Sequence, residues 1–390
     1  MPASNAEAAP AWTGLTRSRR SRLGEWLAEK CVLAVALSTV LLILLIFVFV
    51  GREALPVVLG RVNSAAAQPA IPPEQMDSMR DDQLRAYLGL SPAEFAAKDR
   101  ATLRLLMQVR AEAAAEAPAD KDARVNTAQW RYLLLPYQWT GYTGPEFIWQ
   151  PISQVRKYNL VPLLVGSCKT TLVALLFAAP LALAAALYVS QLAPSGLREW
   201  LKPMIELLAG VPSVVLGFFA LMVMASVLQG WFGYPSRLNA FVAGLALGLA
   251  SVPVIFSIAE DALSSVPRSY LEGALALGAS RWEAAWQVVV PAAAPGVFAA
   301  LVLGFGRAIG ETMVVLMASG NASIMSASLL DSTRTLTATI AAELAETVFG
   351  GQHYRVLFLL GLLLFGLTFA SNLAGEAIIL RLKRNLEGRA

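Results

Sequence analysis

The chain is short of the residues that carry covalent and metal chemistry. It has one histidine and two cysteines in 390 residues. No metal-ligand spacing can be built from them, and two cysteines make no disulfide framework. Charge is scarce as well. Only 15% of the residues are Asp, Glu, Lys or Arg, against 56% hydrophobic, and the mean hydropathy is +0.57. That balance would be unusual in a soluble protein. The net charge of +4 is a topology signal and not a basic face for nucleic acid. Cys31 and Cys168 lie in or beside apolar runs and read as small packing residues. His353 falls at the edge of another run and reads as an ordinary surface residue.

Long apolar runs are what the sequence does have. Six are of bilayer-spanning length, at about 31–50, 162–190, 208–229, 239–260, 293–318 and 354–380. Arg17, Arg19, Arg20 and Arg22 precede the first run, and Arg381, Lys383 and Arg384 follow the last. Positive residues favour the cytoplasmic side, and an even number of spans puts both termini there. The loop with Arg198 and Lys202 then also falls inside, and the segment 51–160 falls outside. The spacing predicts a cytoplasmic tail over 1–30, a first membrane helix over 31–50, uncleaved because the run is too long for a signal peptide, an outer insertion over 51–160 and a membrane core over 161–385. Within the insertion, 61–73 reads as an Ala/Pro-rich linker. Residues 74–117 read as helical with a start at Ser91-Pro92, and the aromatics of 130–149 read as packing for a small domain. Pro180, Pro212, Pro253 and Pro295 read as kinks inside the later spans.

Two polar stretches interrupt the core. The first, Pro267 to Pro291, reads PRSYLEGALALGASRWEAAWQVVVP. Glu272-Gly273-Ala274 is followed after three residues by Gly278 and later by Val288 and Val290-Pro291. That pattern predicts two short helices broken at a glycine that supplies a positive φ. The second is Gly304-Phe305-Gly306-Arg307-Ala308-Ile309-Gly310-Glu311-Thr312-Met313, with Arg307 roughly 20 Å into the fifth run at helical rise. A charge at that depth is costly and needs a partner or a cavity. Arg307 and Glu311 stand i,i+4 and can pair on one helix face, while Gly306 and Gly310 form a small-xxx-small face. By these residues alone, a structural ion pair and an anion-facing arginine stand level, the guanidinium fork being well matched to an oxyanion.

Other residues read more plainly. Gly166-Ser167-Cys168-Lys169-Thr170 has a cysteine where a phosphate-binding loop needs glycine before its lysine, so Lys169 reads as a snorkelling residue. Glu260 and Asp261 read as solvated charges at the end of the fourth span. Glu206, three residues after Pro203, reads as first-turn in an interfacial helix.

The Pro267–Pro291 spacing resembles the EAA loop of bacterial ABC-importer permeases, with Gly273 and Val290 where that family usually has alanine and leucine. GRAIGETM with Val314-Val315-Leu316 and Gly320-Asn321, together with Val211-Pro212-Ser213-Val214-Val215-Leu216-Gly217, is similar to the phosphate-transporter permeases, closest to their C-type subunit. The resemblance covers about 162–385. It implies an all-α integral membrane protein of the bacterial inner membrane, with six transmembrane helices, a type I importer core and an insertion longer than usual after the first helix. It implies a transport subunit without catalytic residues, metal or cofactor of its own, with ATP bound by a partner. The implied partners are a second permease, two ATPase subunits, a periplasmic phosphate-binding protein and phosphate itself. Glu272, Gly273, Ala274 and Gly278 match the ATPase-docking loop, and Arg307 and Glu311 match the charged pair of the translocation pathway. A permease for sulfate or molybdate and an ion-driven secondary transporter are the alternatives.

Overall fold

The computed structural model describes residues 19–62, 79–88, 90, 92–116, 122, 125–153 and 155–387. The chain divides into two compact units, 1–50 and 51–390. The described part of the first is a single helix, the body of α1 (Arg19–Val58). Every residue from Trp26 to Phe49 is exposed there, a surface apolar all round that a bilayer would solvate and water would not. The helix does not stop at Val50 as the apolar run does. Arg52 and Glu53 are good helix formers and carry it on. It ends at Gly60 (φ +65), where Arg61 N–H donates to Pro56 C=O (2.8 Å) and Gly60 N–H to Val57 C=O (2.9 Å). That is the paired closing pattern a left-handed glycine allows.

The second unit opens with α2 (Asp81–Leu88), α3 (Pro92–Ala96) and α4 (Arg100–Glu116), helical as the sequence predicts. Leu84, Tyr87, Leu103 and Met107 form a small core of their own. Most of the linker expected over 61–73 lies outside the described residues. Next come α5 (Trp130–Leu134), β1 (Trp149–Gln150) and β2 (Lys157–Tyr158), the strands antiparallel with Trp149 opposite Tyr158. The aromatics here do pack a small domain: Tyr132, Tyr137 and Trp139 meet largely edge-on, with centroids 4.8–6.3 Å apart.

The insertion does not end cleanly at residue 160. Ala54, Val57, Ala128, Leu133, Trp149, Tyr158 and Leu160 share one apolar core with Leu163, Leu336 and Val356–Leu360. A polar knot closes it. The buried Glu343 accepts from Trp149 Nε1 (3.2 Å) and Arg334 Nη1 (2.5 Å), and His353 Nε2 lies 3.2 Å from its other oxygen. His353 also stacks on Tyr158, with rings 14° apart. It is half-buried and partnered, contrary to the ordinary surface role expected of a lone histidine at a span edge, because Glu343 and the Tyr158 ring stand against it. Burial alone would push the Glu343 carboxyl up; the bond to His353 and the Arg334 charge outweigh it and hold the group below its ordinary 4.5. A depressed folded-state value stabilises above the unfolded value and is lost as pH falls through the folded one. Melting of the detergent-solubilised protein should therefore be insensitive to this group above pH 4.5 and weaken below it. Glu343→Gln should lose that acid slope and, with Arg334 left unpaired, destabilise by about 3 kcal/mol. An unchanged slope in the variant would show that the knot does not carry it.

The remaining helices are α6 (Val161–Leu187), α7 (Ser195–Leu207), α8 (Ser213–Phe219), α9 (Ala225–Phe232), α10 (Ala240–Ser264), α11 (Arg268–Ala276), α12 (Arg281–Ala284), α13 (Val290–Ala292), α14 (Ala294–Gly310), α15 (Met313–Ala318), α16 (Leu336–Glu343) and α17 (Gln352–Glu387). Five helical segments have the length and apolarity of a membrane span, at Trp26–Val58, Val161–Leu192, Ser213–Phe232, Ala240–Ser264 and Gln352–Arg384. A sixth is reached by counting Arg281–Ala292 and Ala294–Gly310, bent by 72°, as one. The expected continuous fifth span over 293–318 is broken, and α14 alone is about 25 Å long, short of a roughly 30 Å hydrocarbon core.

Small residues at every fourth position hold the spans together. Gly166, Thr170, Ala174, Ala178, Ala182 and Ala186 are all buried along α6, and Ala300, Gly304 and Ala308 along α14. A Cβ at Gly304 would stand 2.4 Å from Ile255, and one at Gly244 2.5 Å from Val173, both across helix contacts. Without a hydrophobic drive between helices in lipid, such close approach supplies the packing. Gly306 and Gly310 do not take that part: the nearest atom to a Cβ at Gly306 is Asn372 Oδ1 at 3.7 Å, and Gly310 faces open space. Pro180 and Pro253 lie inside helices, as expected, but Pro212 and Pro295 open α8 and α14, where the missing N–H costs nothing.

The cluster α2–α4 is a satellite of this unit. Removing 79–116 should leave the membrane core folded, with a melting temperature within a few degrees of the full chain. The cut stops short of Asp122, which accepts from Thr140 N–H, and of Asn126, whose Nδ2 donates to Val62 C=O. Loss of membrane assembly would make the satellite part of the core.

Candidate functional site

The loop Pro267–Pro291 has the predicted form. Pro267 precedes α11, whose last turn ends at Gly278 (φ +92). Ala279 N–H donates to Ala274 C=O (3.1 Å) and Gly278 N–H to Leu275 C=O (3.0 Å), the same glycine closing pattern as at the end of α1. Two residues later α12 starts with a capping box: Ser280 Oγ accepts from Glu283 N–H (3.3 Å), and Glu283 Oε2 accepts from Ser280 N–H (2.8 Å). The turn is thus specified on both sides of Gly278, and any residue with a Cβ would be strained there.

The loop presents apolar side chains outward among its charges. Glu272, Gly273 and Gly278 are exposed and Ala274 half-buried, and α11 buries no residue. Leu277 is 91% exposed, and Tyr270, Trp282 and Trp286 are exposed as well, the two tryptophans stacked with rings 10° apart. Exposed apolar side chains at a span end suit contact with a protein or with lipid.

Arg307 and Glu311 are not brought together. α14 ends at Gly310, and Glu311 is extended (φ −71, ψ 136). Its Oε1 accepts from Thr312 N–H (3.1 Å) and Met313 N–H (3.3 Å), capping α15, and its C=O accepts from Thr337 Oγ1. The i,i+4 relation needs one continuous helix, and the acid's bonds to the two following amides stop it. Arg307 is exposed and makes no ion pair within 4.0 Å among the described residues. Asn372 of α17, in the sixth apolar run, stands over the neighbouring Gly306. One amide hardly dents the hydropathy of a long run, so Asn372 leaves no signal in the sequence.

Several polar residues differ from their sequence-based expectations. Glu260 is not a solvated end charge: its side chain is fully buried and bound by Arg198 and Lys202, while Asp261 is 70% exposed at the rim. Lys169 does not snorkel; it is 9% exposed, and its Nζ donates to Ser326 and Ser328 C=O, both at 2.9 Å, tying down the loop after α15. Glu206 lies near the end of α7 and not in its first turn, because Pro203 is accommodated inside that helix. Cys31 and Cys168 are both exposed free thiols instead of packing residues. Gly166–Thr170 lies within α6, where a Cβ at Gly166 would meet Arg334 C=O at 2.2 Å, so no phosphate loop forms. No group of three potential metal ligands gathers among the described residues.

Comparison with known proteins gives the family. Over 256 residues the chain is 34% identical to the phosphate transport system permease protein PstC of Xylella fastidiosa (strain Temecula1), covering 60% of this chain and 78% of that protein. Over 233 residues it is 37% identical to the "Probable ABC transporter permease protein YqgH" of Bacillus subtilis (strain 168), covering 59% and 75%. A solved inward-facing structure of the MetNI methionine ABC transporter aligns at 18% identity with a TM-score of 0.44, over 57% of this chain and 94% of that one. Residues 178–384, more than half of the chain, match the binding-protein-dependent transport system inner membrane components, and the chain belongs to that family.

Proposed function

We propose that this chain is one permease subunit of an ATP-driven importer that carries inorganic phosphate across the bacterial inner membrane into the cytoplasm. ATP is bound and hydrolysed by a partner. The assembly contains a second, similar permease, two ATPase subunits and a periplasmic binding protein that delivers phosphate. Both termini lie in the cytoplasm, and the 51–160 segment faces the periplasm. The observation that carries this reading is the helix–Gly278–helix element with its exposed Leu277, Trp282 and Trp286, a shaped apolar surface at the end of a membrane span. The choice of phosphate is supported by the names of the relatives and by Arg307, a guanidinium in an apolar helix with no ion pair among the described residues, whose fork suits an oxyanion.

The surface serves as the ATPase contact through Glu272, Gly273, Ala274 and Gly278, while Arg307 meets the anion in passage and Glu311 shapes the turn beside it. Contact with the anion is transient, since a pathway site must bind weakly enough to release. The experiment is ATP-dependent uptake of labelled phosphate by proteoliposomes holding the complex that co-purifies with this chain, with sulfate and molybdate as competitors. Uptake inhibited by excess unlabelled phosphate alone is the expected result. Uptake without an ATPase, or equal inhibition by sulfate, would overturn it.

A further inference from the structure

The docking element is not the only thing fastened to the end of α10. Glu260 lies one turn before that helix ends and is fully buried. Arg198 Nη2 donates to its Oε1 at 2.6 Å and to Ser264 Oγ at 2.8 Å, Lys202 Nζ donates to its Oε2 at 2.6 Å, and Ser264 Oγ donates back to Oε1 at 2.8 Å. Asp261 takes a second contact from Lys202 at the rim, 3.2 Å away. Both cations belong to α7. A buried carboxylate holding two cations from one helix is a fixed joint, since parting them would strand a charge without water.

Ser264, hydrogen-bonded to Glu260, lies three residues before Pro267, where the docking element begins. Apolar packing joins the same parts. Leu201 and Ile205 of α7, Leu263 of α10, Leu271 of α11 and Ala285, Val289 and Val290 beyond α12 share one core cluster. Gln191, just before α7, donates from Nε2 to Leu263 C=O (3.1 Å). α7 therefore shares an apolar cluster with the docking element, and its direct helix contact is with α10, which leads into that element. On its other side Leu197, Trp200, Met204 and Leu207 are exposed, so the helix is held chiefly from the α10 side.

We infer that α7, through the Glu260–Arg198–Lys202 joint, is a second coupling element: it moves with the docking helices as one body and passes their displacement to the spans on either side of it. This rests on the docking role proposed for Pro267–Pro291. α7 lies between α6, which leads into it, and α8, which follows it, so a shift of α7 reaches two spans that α11 and α12 do not adjoin in sequence. Glu260, Arg198 and Lys202 are positioning residues; none is assigned contact with phosphate or nucleotide.

The test uses the complete complex in proteoliposomes and reads the ratio of phosphate taken up to ATP hydrolysed. Lys202→Gln, at a side chain 32% exposed, leaves the Arg198–Glu260 pair and should fold. It is expected to keep its ATP hydrolysis and lower the ratio by about fivefold or more, the lower end of ordinary coupling between two sites. Lys202→Arg, which keeps the charge, should restore it, and Glu260→Gln should lower it further. A purely structural joint would reduce uptake and hydrolysis in proportion, leaving the ratio unchanged, and that outcome in Lys202→Gln overturns the inference whether or not Glu260→Gln folds. The control is Gly278→Pro. If it neither releases the ATPase nor reduces uptake, the docking role itself has failed. If it does either while Lys202→Gln keeps the normal ratio, only the role of α7 has failed.

Discussion

Arg307→Gln is expected to cut phosphate uptake by about 10- to 100-fold while the complex still assembles. The magnitude is that of one charge-assisted hydrogen bond, roughly 1.5–3 kcal/mol, read as a rate. An arginine within an apolar helix is disfavoured by a few kcal/mol unless something compensates it, and the structure provides no carboxylate partner among the described residues. Retaining such a group without a partner is easier to understand if an anion meets it during transport. Glu311 has a different duty. Its carboxylate caps α15 through the amides of Thr312 and Met313, so Glu311→Gln, which keeps a side-chain acceptor, should lose less uptake than Glu311→Leu, which removes the cap at a cost of about 1 kcal/mol. Uptake by proteoliposomes of assembled complex, with Arg307→Lys as the charge-retaining control, decides the matter. Near-normal uptake by Arg307→Gln would take Arg307 out of the pathway.

The second large effect is expected at the loop Pro267–Pro291, proposed above as the ATPase contact. Gly278→Pro should separate transport from ATP hydrolysis and weaken the hold on the ATPase, with membrane insertion intact. Gly278 sits at φ +92, where proline cannot go, and its N–H, which donates to Leu275 C=O, would be lost. The turn that aims α12 against α11 would open, and the surface of Leu277, Trp282 and Trp286 would lose its shape. Glu272→Lys should act differently. It reverses an exposed charge without disturbing the turn, so it should weaken association with the ATPase and leave the loop fold unchanged. Co-purification of the ATPase and uptake are the two readouts. Unchanged values of both for Gly278→Pro would sink the docking role.

Some of this was legible in the chain itself. The membrane helices are runs of apolar residues, and a run of sufficient length must satisfy its backbone internally in lipid. The helix pair around Gly278 is likewise local: a left-handed glycine and a Ser280-x-x-Glu283 box act over a few residues, whatever surrounds them. What failed was every inference that carried a local relation across a longer range. Arg307 and Glu311 are four apart, but Glu311 binds the amides ahead of it and ends the helix between them. Glu260 and His353 look like boundary residues in a linear reading. Only the fold brings Arg198 and Lys202 to the one, and Glu343 and Tyr158 to the other. The insertion looked separable at residue 160, yet Trp149 and Tyr158 complete a core with α6, α16 and α17.

The sequence by itself determined that this protein is helical, lies in a membrane and carries a glycine-broken helix pair between two spans, because apolar run length and turn chemistry are properties of neighbouring residues. Tertiary structure alone decided which charges are buried and paired, which glycines make helix contacts, and where the fifth span breaks. Those outcomes depend on what stands opposite each side chain, and in a bundle the opposite residue is tens to hundreds of positions away along the chain.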